Sequence, residues 1–342
     1  MTRTIAVALL ALGAAAAAGL PGIDAVAATD VERELVARFG LSAAEVEQVR
    51  AGRVVAKTLP SREKTEIGVF GAVRIPGDRE NLLYWIRDIE RFRKGAELGL
   101  SRRLSSPPTI DDFADLALDS GELAALRKCQ PGDCDLRLGD RAIAAFRTGV
   151  DWTATDAGEE ANVVARRLLL GYAEAYLRGG HADLGAAHNE KKPRLVAEDF
   201  RELIEGATNF NDLAQPLAAY LEGFPTTRLA DVEQCLYWAR GGVGLEPSIT
   251  LHHLVIHREA GGAVYVADKQ LYASRYTDAS LFVLWLGAPA DGQGFYLMAG
   301  VRGRSRLLGG IGARALRGRI EAESRSYTET YLDWIRKSLA LG

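Results

Sequence analysis

The sequence predicts an α+β fold in which a curved antiparallel sheet grips a long C-terminal helix, with a large helical insertion. Three observations predict it. Four β-like runs crowd the stretch from Ser248 to Arg302, parted by the turns Ala260-Gly-Gly, Thr277-Asp and Pro289-Ala-Asp-Gly. Connections that short imply antiparallel neighbours. After the bend Gly309-Gly310-Ile311-Gly312 an amphipathic helix runs to about Leu341, its stripe holding Ile320, Tyr327, Tyr331, Trp334, Ile335 and Leu339. Between about Thr109 and Gly241 the pattern is helical, with few β-branched runs.

The elements follow in order. Met1-Thr2-Arg3 gives a short positive start, and Ile5 to Leu20 is an almost unbroken apolar run. Pro21-Gly22 breaks it, and Ala25-Val26-Ala27 offers the small residues at which a signal peptidase cuts. Residues 1–28 read as a cleaved secretory signal, with a retained N-terminal anchor as the alternative. The mature chain, 29–342, is then a soluble protein of the periplasm or the extracellular space, since no later stretch reaches the roughly 18 uninterrupted apolar residues of a spanning helix. Thr29 to Ala51 reads as a helix or helix pair, with Ser42 and Glu45 spaced as a capping box. Arg53–Leu59 and Glu66–Ile75 look like strands, the second stopped by Pro76-Gly77. Asp78 caps an amphipathic helix with Leu82, Leu83, Trp85, Ile86, Ile89 and Phe92 on its apolar side. The insertion, 109–241, contains a long segment from about Ala157 to Arg178 and ends with a helix from Asp231 to Arg240.

Composition narrows the function classes. Of 342 residues 48% are hydrophobic and 25% charged, ordinary for a globular chain. With 42 basic and 45 acidic residues the net charge is −3, which speaks against nucleic acid as a partner. Cys129 and Cys134 bracket Gln130-Pro131-Gly132-Asp133, a turn that brings the sulfurs together. In an oxidising compartment they read as a disulfide, and no Cys or His follows at zinc-motif spacing, so no metal site is expected. Cys235 is left over in an apolar context.

The strand Glu66–Ile75 with the helix Asp78–Lys94, then Ser248–Arg302 with the helix after Gly312, together resemble the START-like superfamily, which includes polyketide cyclase-like and Bet v 1-like proteins. The resemblance covers about half of the mature chain and rests on element order, not on a motif. It implies a helix-grip sheet with an apolar cavity between sheet and last helix. Departing from that pattern are the helical block, where relatives have one or two short helices, and a strand count short of a full sheet. Leu281-Phe-Val-Leu-Trp-Leu286 is apolar on both faces, so it must be covered twice, by the tail helix or a ligand on one side and the inserted helices on the other.

Candidate chemistry lies in two strands. In Leu251-His-His-Leu-Val-Ile-His257, alternation puts His253 and His257 on one face and His252 on the other. At 3.3 Å per residue His253 and His257 stand about 13 Å apart, too far to share a metal ion. Either histidine alone suits acid–base work, and either serves equally as an ordinary hydrogen-bonded residue of a sheet. In Val266 to Tyr276, alternation places Asp268, Gln270, Tyr272, Ser274 and Tyr276 on one face, a polar strip for contacts inside a pocket or for solvent. Tyr272, Tyr276, Gln270, Trp285 and Trp334 are the candidate ligand contacts; His253, His257, Asp268 and Tyr272 are the catalytic candidates. Arg302, Arg304, Arg306 and Arg314, amid glycines and free of acidic neighbours in sequence, form a candidate anion site or an exposed basic surface.

No nucleophile elbow, HExxH, P-loop or dinucleotide fingerprint is present. The expected function is therefore binding of a hydrophobic ligand, a lipid above all, with no cofactor and no chemistry. The rivals are a cyclase- or hydrolase-like enzyme with a histidine acid/base in the same cavity, and an interaction scaffold built on the helical block. An anionic membrane surface is a second candidate partner.

Overall fold

The computed structural model describes residues 31–211, 214–241, 246–310 and 313–340. The expected signal segment lies outside the described residues. Two helices lead in, α1 over residues 31–37 and α2 over Ala43–Arg50, the latter closed by the capping box of Ser42 and Glu45. Strands β1 (Val55–Leu59) and β2 (Glu66–Ile75) follow, then α3 (Arg79–Arg87), α4 (Ile89–Gly95) and the short β3 (Leu100–Arg103). The side chain of Asp78 accepts from the Glu80 amide at the start of α3, as its position before an apolar-periodic run demands.

The helical block holds α5 (Ser120–Lys128), α6 (Asp140–Gly149) and α7 (Ala157–Gly179). A two-stranded ribbon, β4 (Ala186–Ala187) and β5 (Arg194–Leu195), precedes α8 (Val196–Gly206), α9 (Thr208–Asn211) and α10 (Gln215–Gly223). Five strands then run in succession: β6 (Val232–Gly241), β7 (Ser248–Arg258), β8 (Val264–Ala273), β9 (Ala279–Gly287) and β10 (Phe295–Arg304). The tail helix α11 spans Ala313–Ala340.

Eight strands join one antiparallel sheet in the order β1-β2-β10-β9-β8-β7-β6-β3. The strand nearest the N-terminus of the meander's partner, β2, pairs with the last strand, β10, so the chain's two β-rich parts close on each other around the insertion. A large antiparallel sheet with a long C-terminal helix packed against it is compatible with a helix-grip-like α+β fold.

Both faces of the sheet are covered, as the doubly apolar Leu281–Leu286 run requires. On one face Val73, Leu284, Leu297 and Ala299 meet Leu82, Leu83 and Ile86 of α3 and Tyr331, Leu332 and Ile335 of α11. On the other, Trp238, Leu251, Val255, Leu281 and Met298 meet α1, α2 and the helical block.

Three expectations change. Asp231–Arg240 is a strand, not a helix: β6 pairs along its whole length with β7, and Leu236, Tyr237, Trp238 and Ala239 are buried alternately on the two faces. Together with β3 it supplies the strands that the sequence count lacked. The space between sheet and tail helix is filled where the two cross, because Gly71 of β2 lets α11 approach until an added Cβ would lie 2.7 Å from Leu332 Cδ1. Finally, β8 carries a bulge: Leu251 pairs with Tyr272 but His252 pairs with Gln270, so Leu271 is the extra residue. The polar strip is thereby split, with Asp268 and Gln270 on the tail-helix face and Tyr272 on the insertion face.

Candidate functional site

Open space inside the fold lies on the insertion face. A cavity of about 520 Å³ is bounded by α5, α6, α7, the ribbon and the start of α8, with the ends of β7 and β8 as its floor. That volume suits a small-molecule site. Its walls are apolar, among them Leu126, Phe146, Leu168 and Leu169 on helices and Leu138 in the loop before α6. Its rim carries exposed charges of both signs, Asp140, Arg141, Arg167 and Asp183.

The floor is the polar part. Tyr272 reaches it because the bulge turns its side chain away from Asp268, and its ring packs 5.6 Å from that of Tyr172 on α7. The Tyr172 hydroxyl donates to Leu271 O at 3.0 Å, while the Tyr272 hydroxyl has no hydrogen bond within the described residues. Tyr272 is half-buried, and burial pushes its ionisation far above the ordinary value. Burial likewise pushes Tyr172 up to about 12.

Glu122 on α5 and Arg137 in the loop before α6 lie buried behind this lining, 0% and 5% exposed. Glu122, fully buried at the third position of α5, accepts the Asp119 amide at the helix start and pairs with Arg240 at 2.9 Å through Oε2. Its Oε1 has no hydrogen-bond partner. Burial pushes its carboxyl up against the opposing pull of the cap bond and Arg240. Arg137 pairs with Asp199 at 3.2 Å, and its Nε lies 3.6 Å from Asp278 without a hydrogen bond. Chemically, this is an apolar pocket with one phenol, that of Tyr272, presented at its floor.

The other predicted residues are dispersed. Trp285 lines a surface cleft with Tyr265 and Phe295, and Tyr276 lines another with Asp278 and Arg306. Gln270 faces Ser280 at 3.4 Å, and Trp334 packs on Phe92 and Tyr331. His253 contacts the Tyr176 hydroxyl at 2.8 Å through Nδ1 and donates to Gln234 Oε1 at 2.6 Å through Nε2; in the neutral ring Nδ1 accepts the tyrosine proton. Burial, with Lys269 nearby, lowers its basicity well below the ordinary histidine value. His257 faces Ala230 O at 3.1 Å. Neither of these buried histidines lines the cavity.

The expected anion site is used up internally. Arg302 and Glu66, both buried, form an ion pair. Arg304 pairs with Glu202, and Arg306 pairs with Asp278 at 3.0 Å and Glu190 at 3.2 Å. The carboxylates come from β2 (Glu66), the insertion (Glu190, Glu202) and the turn before β9 (Asp278), so the charge of these arginines is matched within the fold; Arg314 alone of the four is exposed, on α11.

One cluster escaped the sequence reading. His252, passed over for its neighbours, meets Asp268 at 2.8 Å on the tail-helix face, and Tyr237 stacks on its ring at 4.6 Å while donating to the same carboxylate. Burial pushes Asp268 up, but the charge of His252 and the two hydrogen bonds outweigh it and hold it below the usual value. Alternation had placed His252 on the face opposite His253, which is the signal that could have paired it with Asp268. Cys129 and Cys134 form a disulfide, with their Cα atoms 4.5 Å apart at the end of α5. Among the described residues no three His, Cys, Asp or Glu are gathered as a metal site, and no helix is long and apolar enough to cross a membrane. Comparison with known proteins finds no matching family model, curated protein or solved structure.

Proposed function

We propose that this chain is an exported protein of START-like architecture that binds a hydrophobic molecule, a lipid above all, without altering it. The binding place is the cavity between insertion and sheet, not the crossing of sheet and tail helix. The observation that carries this reading is the chamber of about 520 Å³ with leucine and phenylalanine walls and few polar groups. Water in an apolar pocket of this size is readily displaced by an apolar ligand, which removes that surface from water. The signal-like N-terminus and the Cys129–Cys134 disulfide support export. Native mass spectrometry of the purified protein, with solvent extraction of what it carries, tests the binding. Recovery of an apolar molecule is expected; failure to carry or take up any apolar compound across a broad panel overturns it.

A second reading has one observation in its favour. In the His252–Asp268 pair the carboxylate fixes the ring through Nδ1, the arrangement of an acid–base histidine. It expects turnover of an ester or thioester panel that His252→Ala abolishes; equal turnover by the variant removes it.

A further inference from the structure

We infer that the face of the sheet opposite the cavity carries a second, hydrolytic site. There His252 draws a proton from water, which attacks an ester with an aromatic part directly, and Tyr331 donates to the carbonyl oxygen. This rests on the acid–base reading of His252 and names its nucleophile and its substrate class.

The place is a groove beside the tail helix. Helix α11 crosses the sheet at β2, where Thr328 and Leu332 close on Gly71 and Ile320 joins Ile67 and Val69. Strands β7 to β9 therefore keep a half-buried strip on this face, with His252, Asp268, Ser280 and Phe282 in it. Tyr237, His252, Gln270, Ser280 and Gly303 are successive cross-strand partners along it. A Cβ built on Gly303 meets nothing within 4 Å, so the end of the strip is open.

His252 is built as a base. Both oxygens of Asp268 accept, one from His252 Nδ1 at 2.8 Å and one from the Tyr237 hydroxyl, and Tyr237 stacks on the imidazole at 4.6 Å. A carboxylate only accepts, so the proton of the neutral ring is on Nδ1 and Nε2 presents its lone pair. Nε2 has no partner among the described residues and is not sealed in, the side chain being 12% exposed. Among those residues no hydroxyl or thiol hydrogen-bonds to it. Ser280 Oγ donates to Gln270 Oε1 at 3.4 Å, and burial pushes the Cys235 thiol up to about 11. The nucleophile this base can activate is water.

Tyr331 supplies the donor. Its ring packs 5.7 Å from that of Phe282, the cross-strand partner of Asp268, and its hydroxyl is also unpartnered among the described residues and not sealed in. The half-buried rings of Phe282 and Tyr327 beside it suit an aromatic group. His252 Nε2 takes a proton from water as the water oxygen bonds to the carbonyl carbon, and the carbonyl π pair moves onto its oxygen, where the Tyr331 hydroxyl donates. The bond to the leaving oxygen then breaks, and the imidazolium, steadied by Asp268, gives that oxygen its proton. Ester and water thus yield acid and alcohol, with nothing left on the protein.

The test gives the purified protein para-nitrophenyl acetate and follows the released phenol by absorbance. Release is expected to be linear from the first turnover, with no acetylated protein in the intact mass. His252→Ala should lower kcat by about a hundredfold or more. Tyr331→Phe, which keeps the ring and its packing, should lower kcat by about a hundredfold with KM little changed, because the donor meets charge that exists only in the transition state. Urea unfolding checks that each variant is folded, and Tyr331→Phe and the time course are read whether or not His252→Ala folds. A burst, or an acetyl group on the protein, overturns direct attack by water and leaves the acid–base reading standing. Unchanged kcat in folded Tyr331→Phe overturns the donor. Unchanged turnover by His252→Ala, or none by the wild type, contradicts the acid–base reading and this inference with it.

Discussion

Mild acid should loosen this protein well before its carboxylates protonate, and two histidines set the size of the effect. His181 lies within the insertion just after α7, stacked on Phe200 at 4.4 Å, and burial, with Lys269 and His253 adding to it, lowers its basicity to about 2. His253 is lowered in the same direction, chiefly by burial, and both its ring nitrogens are committed to neutral-ring bonds with Tyr176 and Gln234. In the unfolded chain each titrates near the ordinary 6.5. The unfolded state therefore takes up two protons that the folded state refuses, so stability is full above about pH 6.5 and falls as the pH drops below it. At pH 5 the loss is roughly 2 kcal/mol per histidine and roughly 4 kcal/mol for the pair. That is a large share of the 5–15 kcal/mol typical of a domain. Glu122, held above its ordinary value by burial, works in the opposite sense, one group against two. Glu45, lowered to about 2 by its bonds to the Ser42 backbone and Lys57, loses its contribution only below about pH 4.5. Urea unfolding at pH 7 and pH 5 reads the difference directly. His181→Leu should remove about half of the acid-induced loss. An unfolding midpoint that is equal or higher at pH 5 would refute the reasoning.

Three further outcomes follow from packing and pairing. Arg302→Met leaves buried Glu66 without its partner and should cost about 3–5 kcal/mol, while Arg302→Met with Glu66→Gln should recover most of it; urea unfolding distinguishes them, and a single-variant loss below about 1 kcal/mol would show the pair to be incidental. Gly300→Ala drives a methyl group into the Phe210 ring, which is wedged beside Phe39, and should cost about 1–3 kcal/mol; an unchanged Tm contradicts this. Reducing the Cys129–Cys134 disulfide, whose sulfurs close a loop with a sequence separation of 5, should cost about 2 kcal/mol of stability by loop entropy, and equal unfolding curves with and without reductant would contradict it.

Much of the architecture was legible because its signals are local. Ser42 and Glu45 announce a capping box, Pro76-Gly77 ends β2, and the short turns after Arg258 and Tyr276 force antiparallel pairing. Strand β6 gives no period-two signal because Glu233 and Gln234 are both exposed while Leu236–Ala239 is buried on both faces. Strand β3, at four residues, is too short to signal at all. The site was harder. Tyr272 carried a visible polar signature, but its face depends on a bulge at Leu271 that no spacing announces. His252 and Asp268 are diagonal neighbours on adjacent strands, fixed by that same register. The cavity walls use the same Leu, Ala and Phe periodicity as a solid core, so composition alone could not separate a filled interior from an open one.

The most direct test of the account is to fill the chamber. Ala165, on α7 and 7% exposed, lines the cavity, and Ala165→Phe adds a ring at that wall. With dodecanol as the probe, native mass spectrometry of wild type and variant should show the variant's affinity reduced by about tenfold or more, in a protein that unfolds at the same urea concentration. Undiminished binding by a folded Ala165→Phe would place the ligand elsewhere and contradict the central claim.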